Sequence, residues 1–284
     1  MQIAAYRSVR ALVAVLLLSG CQNWFVFEPD RKRHAASSDF PFQIVELKVP
    51  VRAAGEREEL LAAWWIPAPL PAFGKTLLYL HGRDSDISDC VADVAPLRDL
   101  NLSLLLVDYR GFGSSDGMFP SETSVYEDAE AAWSYLVAQR GVSPSDLYIY
   151  GHSLGGAIAI ELARRHPEAA GLIVESSFTS VYEMSQLDKR YRYLPVKLVL
   201  NERFESLTKV PGLRLPALFV HGTADDTVPF WMGQRLFDAA PEPKRFVAID
   251  GGAHDHDDGG VRVIREAIGR FIGYPPELSP LVPF

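Results

Sequence analysis

The chain has 284 residues, 48% of them hydrophobic and 23% charged, with a formal net charge of −8 at pH 7. That is enough apolar material for one sizeable core, and the acidic balance argues against nucleic acid as a partner. Only two cysteines are present, Cys21 and Cys90, too few for a disulfide framework.

Residues 1–20 read as a processing signal. Arg7 and Arg10 make a basic start, and Ala11 to Leu18 is an apolar run too short to remain as a membrane-spanning helix. The closing Leu18-Ser19-Gly20-Cys21 resembles the lipobox of bacterial lipoproteins, which implies that Cys21 is lipidated and becomes the first residue of the mature chain. An ordinary secretory signal with a chance cysteine is the alternative. Gln22, rather than aspartate, follows the cysteine, and the same resemblance then implies a lipid-anchored protein of the bacterial envelope, on the outer membrane and facing the periplasm. Removing the signal takes away two arginines and no acid, leaving the mature chain more acidic still. Residues 21–41 are expected to be a polar tether, with Arg31-Lys32-Arg33 either near anionic headgroups or simply solvated. Cys90 is expected to be a buried, inert thiol.

From residue 42 to 284 the pattern predicts one α/β domain. Strands are expected at Gln43–Val51, Leu60–Ile66, Thr76–Leu80, Leu102–Asp108, Leu147–Tyr150, Gly171–Val174, Ala217–Val220 and Phe246–Ile249. The later ones are near-continuous apolar runs, as parallel strands covered on both faces require. Helices are expected at Tyr126–Gln139, Ala157–His166, Met232–Ala240 and Val261–Ile272. This alternation predicts a doubly wound, mostly parallel eight-stranded sheet, with ligands at the carboxyl ends of the strands. Residues 178–215, with Tyr182, Met184, Tyr191, Tyr193, Leu194 and Pro195 among scattered charges, are too long for a simple connection. They are expected to form a small helical cap, or else an extra helix on the flank.

Gly151-His152-Ser153-Leu154-Gly155 joins a strand to a helix, the context of a G-x-S-x-G nucleophile elbow. Small residues two before and two after the serine let the chain turn sharply and lift the hydroxyl above the sheet edge. A serine nucleophile needs a base, an acid to orient that base, and amide donors for the oxyanion. Downstream, His221-Gly222-Thr223-Ala224-Asp225-Asp226-Thr227-Val228-Pro229 puts an acid in the loop after one strand. Gly251-Gly252-Ala253-His254 puts a histidine after the next. The order Ser, Asp, His is that of the α/β hydrolases.

The chain resembles the α/β-hydrolase superfamily, specifically its serine-hydrolase branch of bacterial lipoprotein hydrolases, serine-aminopeptidase-like and monoglyceride-lipase-like proteins and depalmitoylase relatives. The matching pieces are Leu80-His81-Gly82, Asp108 to Gly117, the elbow, Leu194-Pro195, His221-Gly222 with Asp225 and Val228-Pro229, and His254. The resemblance implies Ser153 as nucleophile, His254 as base and Asp225 as acid; Asp226 and His256 are the adjacent rivals. It also implies an oxyanion hole made by the backbone amides of Arg83 and Leu154. Many branch members carry a small or amide residue where this chain has Arg83, a side chain suited to acidic or polar substrates. His81 and His221 are expected to hold turns, and His152 to pack beside the pocket. His254-x-His256-x-Asp258 mimics a metal cluster, but no later histidine completes a ligand set, so no metal and no cofactor are expected.

These readings converge on a membrane-tethered serine hydrolase that cleaves carboxylic esters or thioesters of a small-molecule acyl substrate. An aminopeptidase-like amidase is the rival reaction, and a non-catalytic envelope binding protein is the rival class.

Overall fold

A computed structural model describes residues 26–29, 31, 35–52, 58–70, 74–189, 196 and 200–274. In chain order the elements are β1 (Val45–Arg52), β2 (Glu58–Ile66), β3 (Thr76–Leu80), α1 (Ile87–Val94), β4 (Ser103–Val107), α2 (Glu122–Ser134), β5 (Leu147–His152) and α3 (Leu154–Arg165). There follow β6 (Gly171–Glu175), α4 (Val181–Leu187), α5 (Ser206–Lys209), β7 (Ala217–Gly222), α6 (Phe230–Ala239), β8 (Lys244–Ile249) and α7 (Asp258–Phe271). The strands form one eight-stranded sheet in the order β1-β2-β4-β3-β5-β6-β7-β8. Strand β2 pairs antiparallel with β1 and β4, and every pairing from β4 to β8 is parallel.

Because side chains alternate across a strand, an all-apolar strand feeds two cores at once. In β3, Leu78 and Leu80 join one cluster, with Val125 and Trp133 of α2, Ile158 of α3 and Met232 of α6. Leu77 and Tyr79 join the other, with Val91 of α1 and Ile264 and Ile268 of α7. Helices therefore cover both faces, and the loops at the carboxyl ends of β3, β5, β7 and β8 converge on one rim of the sheet.

Each expected strand and helix is present, with ends shifted by a few residues. Helix α1 was not among the expected helices, although Ile87, Cys90, Val91 and Val94 recur at helical spacing and are all buried in one cluster. Its start is fixed by Asp86, whose carboxylate accepts from the Ser88 and Asp89 amides at 2.7 and 3.2 Å. Of the expected cap, α4 and α5 are described; Leu194-Pro195 lies outside the described residues, as do the signal, Cys21 and Lys32-Arg33.

The tether expected at 21–41 needs correction where it is described. Val26 and Phe27 are buried in the main cluster. The Phe27 ring meets Phe204 edge-on, with centroids 6.0 Å apart. The physical reason is the apolar character of Val26 and Phe27: burying one such side chain gains about 1.5–3 kcal/mol, more than a solvated linker recovers. Further along, the Arg31 guanidinium donates to the carbonyls of Gly111 (3.2 Å) and Gly117 (2.6 Å). Val26, Phe27 and Arg31 are thus joined to the body.

Candidate active site

Ser153 sits between β5 and α3 with φ 54° and ψ −117°, a conformation that side chains other than glycine rarely adopt. The chain is forced there by close packing on both sides. A Cβ on Gly151 would collide with the Gly155 carbonyl, and a Cβ on Gly155 with the Leu80 carbonyl. The Ser153 amide donates to the Glu175 carbonyl at 2.9 Å, and the Ser177 hydroxyl donates to the Ser153 carbonyl at 2.8 Å. The strained turn is over-determined by its neighbours.

His254, in the loop after β8, has Nε2 3.1 Å from Ser153 Oγ and Nδ1 2.8 Å from Asp225 Oδ2. The carboxylate can only accept, so Nδ1 carries the proton and Nε2 offers its lone pair to the serine hydroxyl. Asp225 is buried and saturated with donors. Its Oδ1 accepts the amides of Thr227 (3.0 Å) and Val228 (2.7 Å), and His221 Nε2 lies 3.3 Å from Oδ2. Burial alone would raise this carboxyl, but the bonds from His221, His254 and Val228 hold it well below the usual carboxylate range. Asp226, its rival, is exposed, and among the described residues its side chain meets the Thr227 hydroxyl at 3.5 Å.

His256 does not reach the serine. Its buried ring faces Glu175 at 3.2 Å. Burial opposes charging this imidazole, but the Glu175 carboxylate outweighs it and raises His256 above an ordinary histidine. Likewise burial pushes Glu175 up, and His256, His152 and Tyr150 together bring it below an ordinary glutamate. The two histidines of the His254-x-His256 pattern thus point at different partners. His152 packs on His254, ring centroids 5.1 Å apart.

Arg83, in the loop after β3, lines a pocket with Ser153, Leu154, Phe178, Val181 and Met184. Leu154 opens α3, so its amide belongs to the first turn, where backbone donors lack intrahelical partners. The loop carrying Arg83 is braced from below: His81 Nδ1 donates to the Gly82 carbonyl at 2.8 Å, and the Tyr109 hydroxyl donates to the His81 carbonyl at 3.1 Å. Burial lowers His81 to about 4, keeping it a neutral turn-holder. Asp108, raised by burial to about 7, accepts the Ile87 amide at 2.9 Å and so ties this turn to α1.

Sequence reasoning assigned no site role to Val26, which also lines the pocket, and no role beyond the turn to His221. The apolar run around Val26 was visible in the sequence; the approach of His221 to Asp225 was not.

A serine held in strain at a strand-to-helix turn, backed by a histidine and a buried carboxylate, defines the class: hydrolases acting through a nucleophilic serine on an α/β sheet. Comparisons with known proteins agree. Residues 73–209 match the family model for serine aminopeptidase, S33. The Mycobacterium tuberculosis protein Rv2307c is 37% identical over 215 residues, covering 75% of this chain and 74% of that one. Alpha/beta hydrolase domain-containing protein 17B of Xenopus laevis is 31% identical over 186 residues, covering 65% of this chain and 62% of that protein. The esterase Pf2001 of Pyrococcus furiosus shares the fold, with TM-score 0.68 and 18% identity over 87% of this chain and 98% of that one. The chain belongs to the α/β-hydrolase superfamily and is one of its serine hydrolases.

Proposed function

We propose that this hydrolase cleaves carboxylic esters or thioesters through an acyl-enzyme on Ser153. The observation that carries the reading is the line from Ser153 Oγ through His254 to Asp225, at 3.1 and 2.8 Å. His254 Nε2 takes the hydroxyl proton as Oγ attacks the acyl carbonyl. Asp225 holds the ring in the required tautomer and stabilises the imidazolium. The negative oxygen that develops is held by the amides of Arg83 and Leu154. His254 then returns its proton to the departing alkoxide or thiolate, and water repeats the sequence to free the acid.

An apolar acyl group suits the pocket, where Leu154, Phe178, Val181 and Met184 surround the nucleophile. An aminopeptidase needs an anion to receive the substrate's ammonium group, and among the described residues no carboxylate lines this pocket. That favours esters and thioesters over the amidase reading. We further propose that Cys21 carries a lipid anchor that keeps the domain at the envelope membrane, on the strength of Leu18-Ser19-Gly20-Cys21. Among the described residues no helix is long and apolar enough to cross a membrane.

The test is turnover of nitrophenyl esters of graded acyl length, with an aminoacyl anilide as control. Ester cleavage with Ser153 labelled by a fluorophosphonate supports the reading. Cleavage of the anilide alone transfers the assignment to the amidase.

A further inference from the structure

The segment that follows the proposed anchor reaches the reacting centre. Val26 lies five positions after Cys21 and lines the same pocket as Ser153, Arg83, Val181 and Met184. Next to it, Phe27 is fully buried against Phe204. The Glu28 amide then donates to the Arg83 carbonyl at 3.0 Å, and the Glu28 carboxylate meets the Arg83 guanidinium. Both of those side chains are well exposed, so the ion pair itself adds little. The buried phenyl ring and the backbone bond hold the segment. Burial of Phe27 alone would dock it; nothing in that docking requires its neighbour to stand in the pocket wall.

We propose that Val26 is a specificity-determining residue and that Glu28 positions the loop carrying Arg83, so that the N-terminal segment completes the acyl-binding site. Val26 presents a branched apolar surface to the pocket that Val181 and Met184 also line, and that space receives the acyl chain. A bulkier side chain at 26 shortens the acyl group that fits, and a smaller one lengthens it. The backbone bond from Glu28 fixes the carbonyl side of the residue whose amide faces the oxyanion. This inference rests on the serine-hydrolase reading above.

The test uses the full chain with Val26→Phe and Val26→Ala. The readout is the rate at which alkyl fluorophosphonates of short and long chain label Ser153, beside the nitrophenyl ester series. The expected result is a fall of about tenfold or more in the long-to-short ratio for Val26→Phe and a rise for Val26→Ala, the scale of discrimination that one or two methylenes give in an apolar pocket. Val26→Ala adds no bulk and keeps the question answerable if Val26→Phe does not fold. Unchanged ratios in a folded variant, with wild-type labelling intact, overturn the role of Val26 and leave the hydrolase reading standing. A wild type that takes no probe and cleaves no ester overturns that reading and the pocket assignment together.

Discussion

His221 Nε2 lies 3.3 Å from Asp225 Oδ2 while donating to the Val228 carbonyl at 2.8 Å, so one turn histidine and the putting-in-place of the acid are a single arrangement. The ring is held from behind, since a Cβ on Gly233 would collide with His221 Nδ1. A lost hydrogen bond to a charged group is worth about 1.5–3 kcal/mol. His221→Leu is therefore expected to lower kcat by about 10- to 100-fold with KM little changed. Gly233→Ala, which displaces the ring without removing it, is expected to move kcat in the same direction. Steady-state kinetics on a nitrophenyl ester decide this, and an unaltered kcat in both variants refutes it.

Ser153→Ala is expected to lower ester turnover by about 10⁴-fold or more while the domain stays folded. The backbone at 153 stores about 1–3 kcal/mol of strain, which alanine keeps and glycine releases. Ser153→Gly is therefore expected to melt a few degrees above Ser153→Ala, after the entropy cost of glycine is subtracted. Thermal melts of the two inactive variants give the comparison; equal or reversed melting temperatures refute stored strain at the elbow.

Asp225→Asn and His254→Ala are expected to be nearly as damaging as loss of the serine, and Asp226→Asn nearly silent, because of the two adjacent aspartates it is Asp225 that accepts from His254 Nδ1, while Asp226 is exposed. Asp225 is also a stability group. Its folded-state carboxyl is held below the usual range, so its contribution is fully present above an unfolded value of about 3.9 and is lost as pH falls below that. Wild type is expected to lose more stability on acidification than Asp225→Asn does. Parallel acid-denaturation curves for the two proteins would contradict this.

The elbow was legible because collisions at Gly151 and Gly155 impose a residue type at fixed spacing. The strand cores were legible because burial on both faces leaves long apolar runs. Helix α1 was legible too and was overlooked: Ile87, Cys90, Val91 and Val94 fall on one face, and Asp86 with Asp89 makes the capping pair at its start, but the run is only eight residues long. The expected tether overlooked Trp24-Phe25-Val26-Phe27, a run that the sequence shows openly. Glu175 could not be read at all. It ends an apolar strand, and its partner His256 comes from the loop after β8, so only the sheet order brings the two together.

That Glu175–His256 pair is buried on both sides, beside Tyr150, His152, Asp93 and Asp255. Truncating one member of a buried pair typically costs about 3–5 kcal/mol, because the other charge is left uncompensated. His256→Ala is therefore expected to lower stability by about 3 kcal/mol, although His256 touches neither Ser153 nor Asp225. His256 is raised, so its contribution is full below about 6.5 and fades as pH climbs through its folded value. Glu175 is lowered, so its contribution is full above about 4.3 and fades as pH drops through its folded value. The difference in stability between wild type and His256→Ala should be widest between those two limits. Urea melts at pH 5.5 and pH 8.5 that show an equal difference would sink the ion pair.

The N-terminal stretch carries the proposed anchor at Cys21 and a structural piece at Val26 and Phe27. Cys21→Ser is expected to abolish incorporation of radioactive palmitate and to block signal removal by the lipoprotein route, because Leu18-Ser19-Gly20 places a small residue before the only cysteine there. Recovery of wild type in the soluble fraction, unacylated and cleaved elsewhere, would refute the anchor and leave the hydrolase untouched. Deleting residues 1–21 is expected to leave a folded, active domain. Deleting residues 1–28 removes Phe27 from the core and the Glu28 bond to Arg83. Losing a buried phenylalanine costs about 3–5 kcal/mol, so this longer truncation is expected to melt roughly 6–20 °C lower. Should the two truncations melt together, Phe27 would have no part in holding the fold.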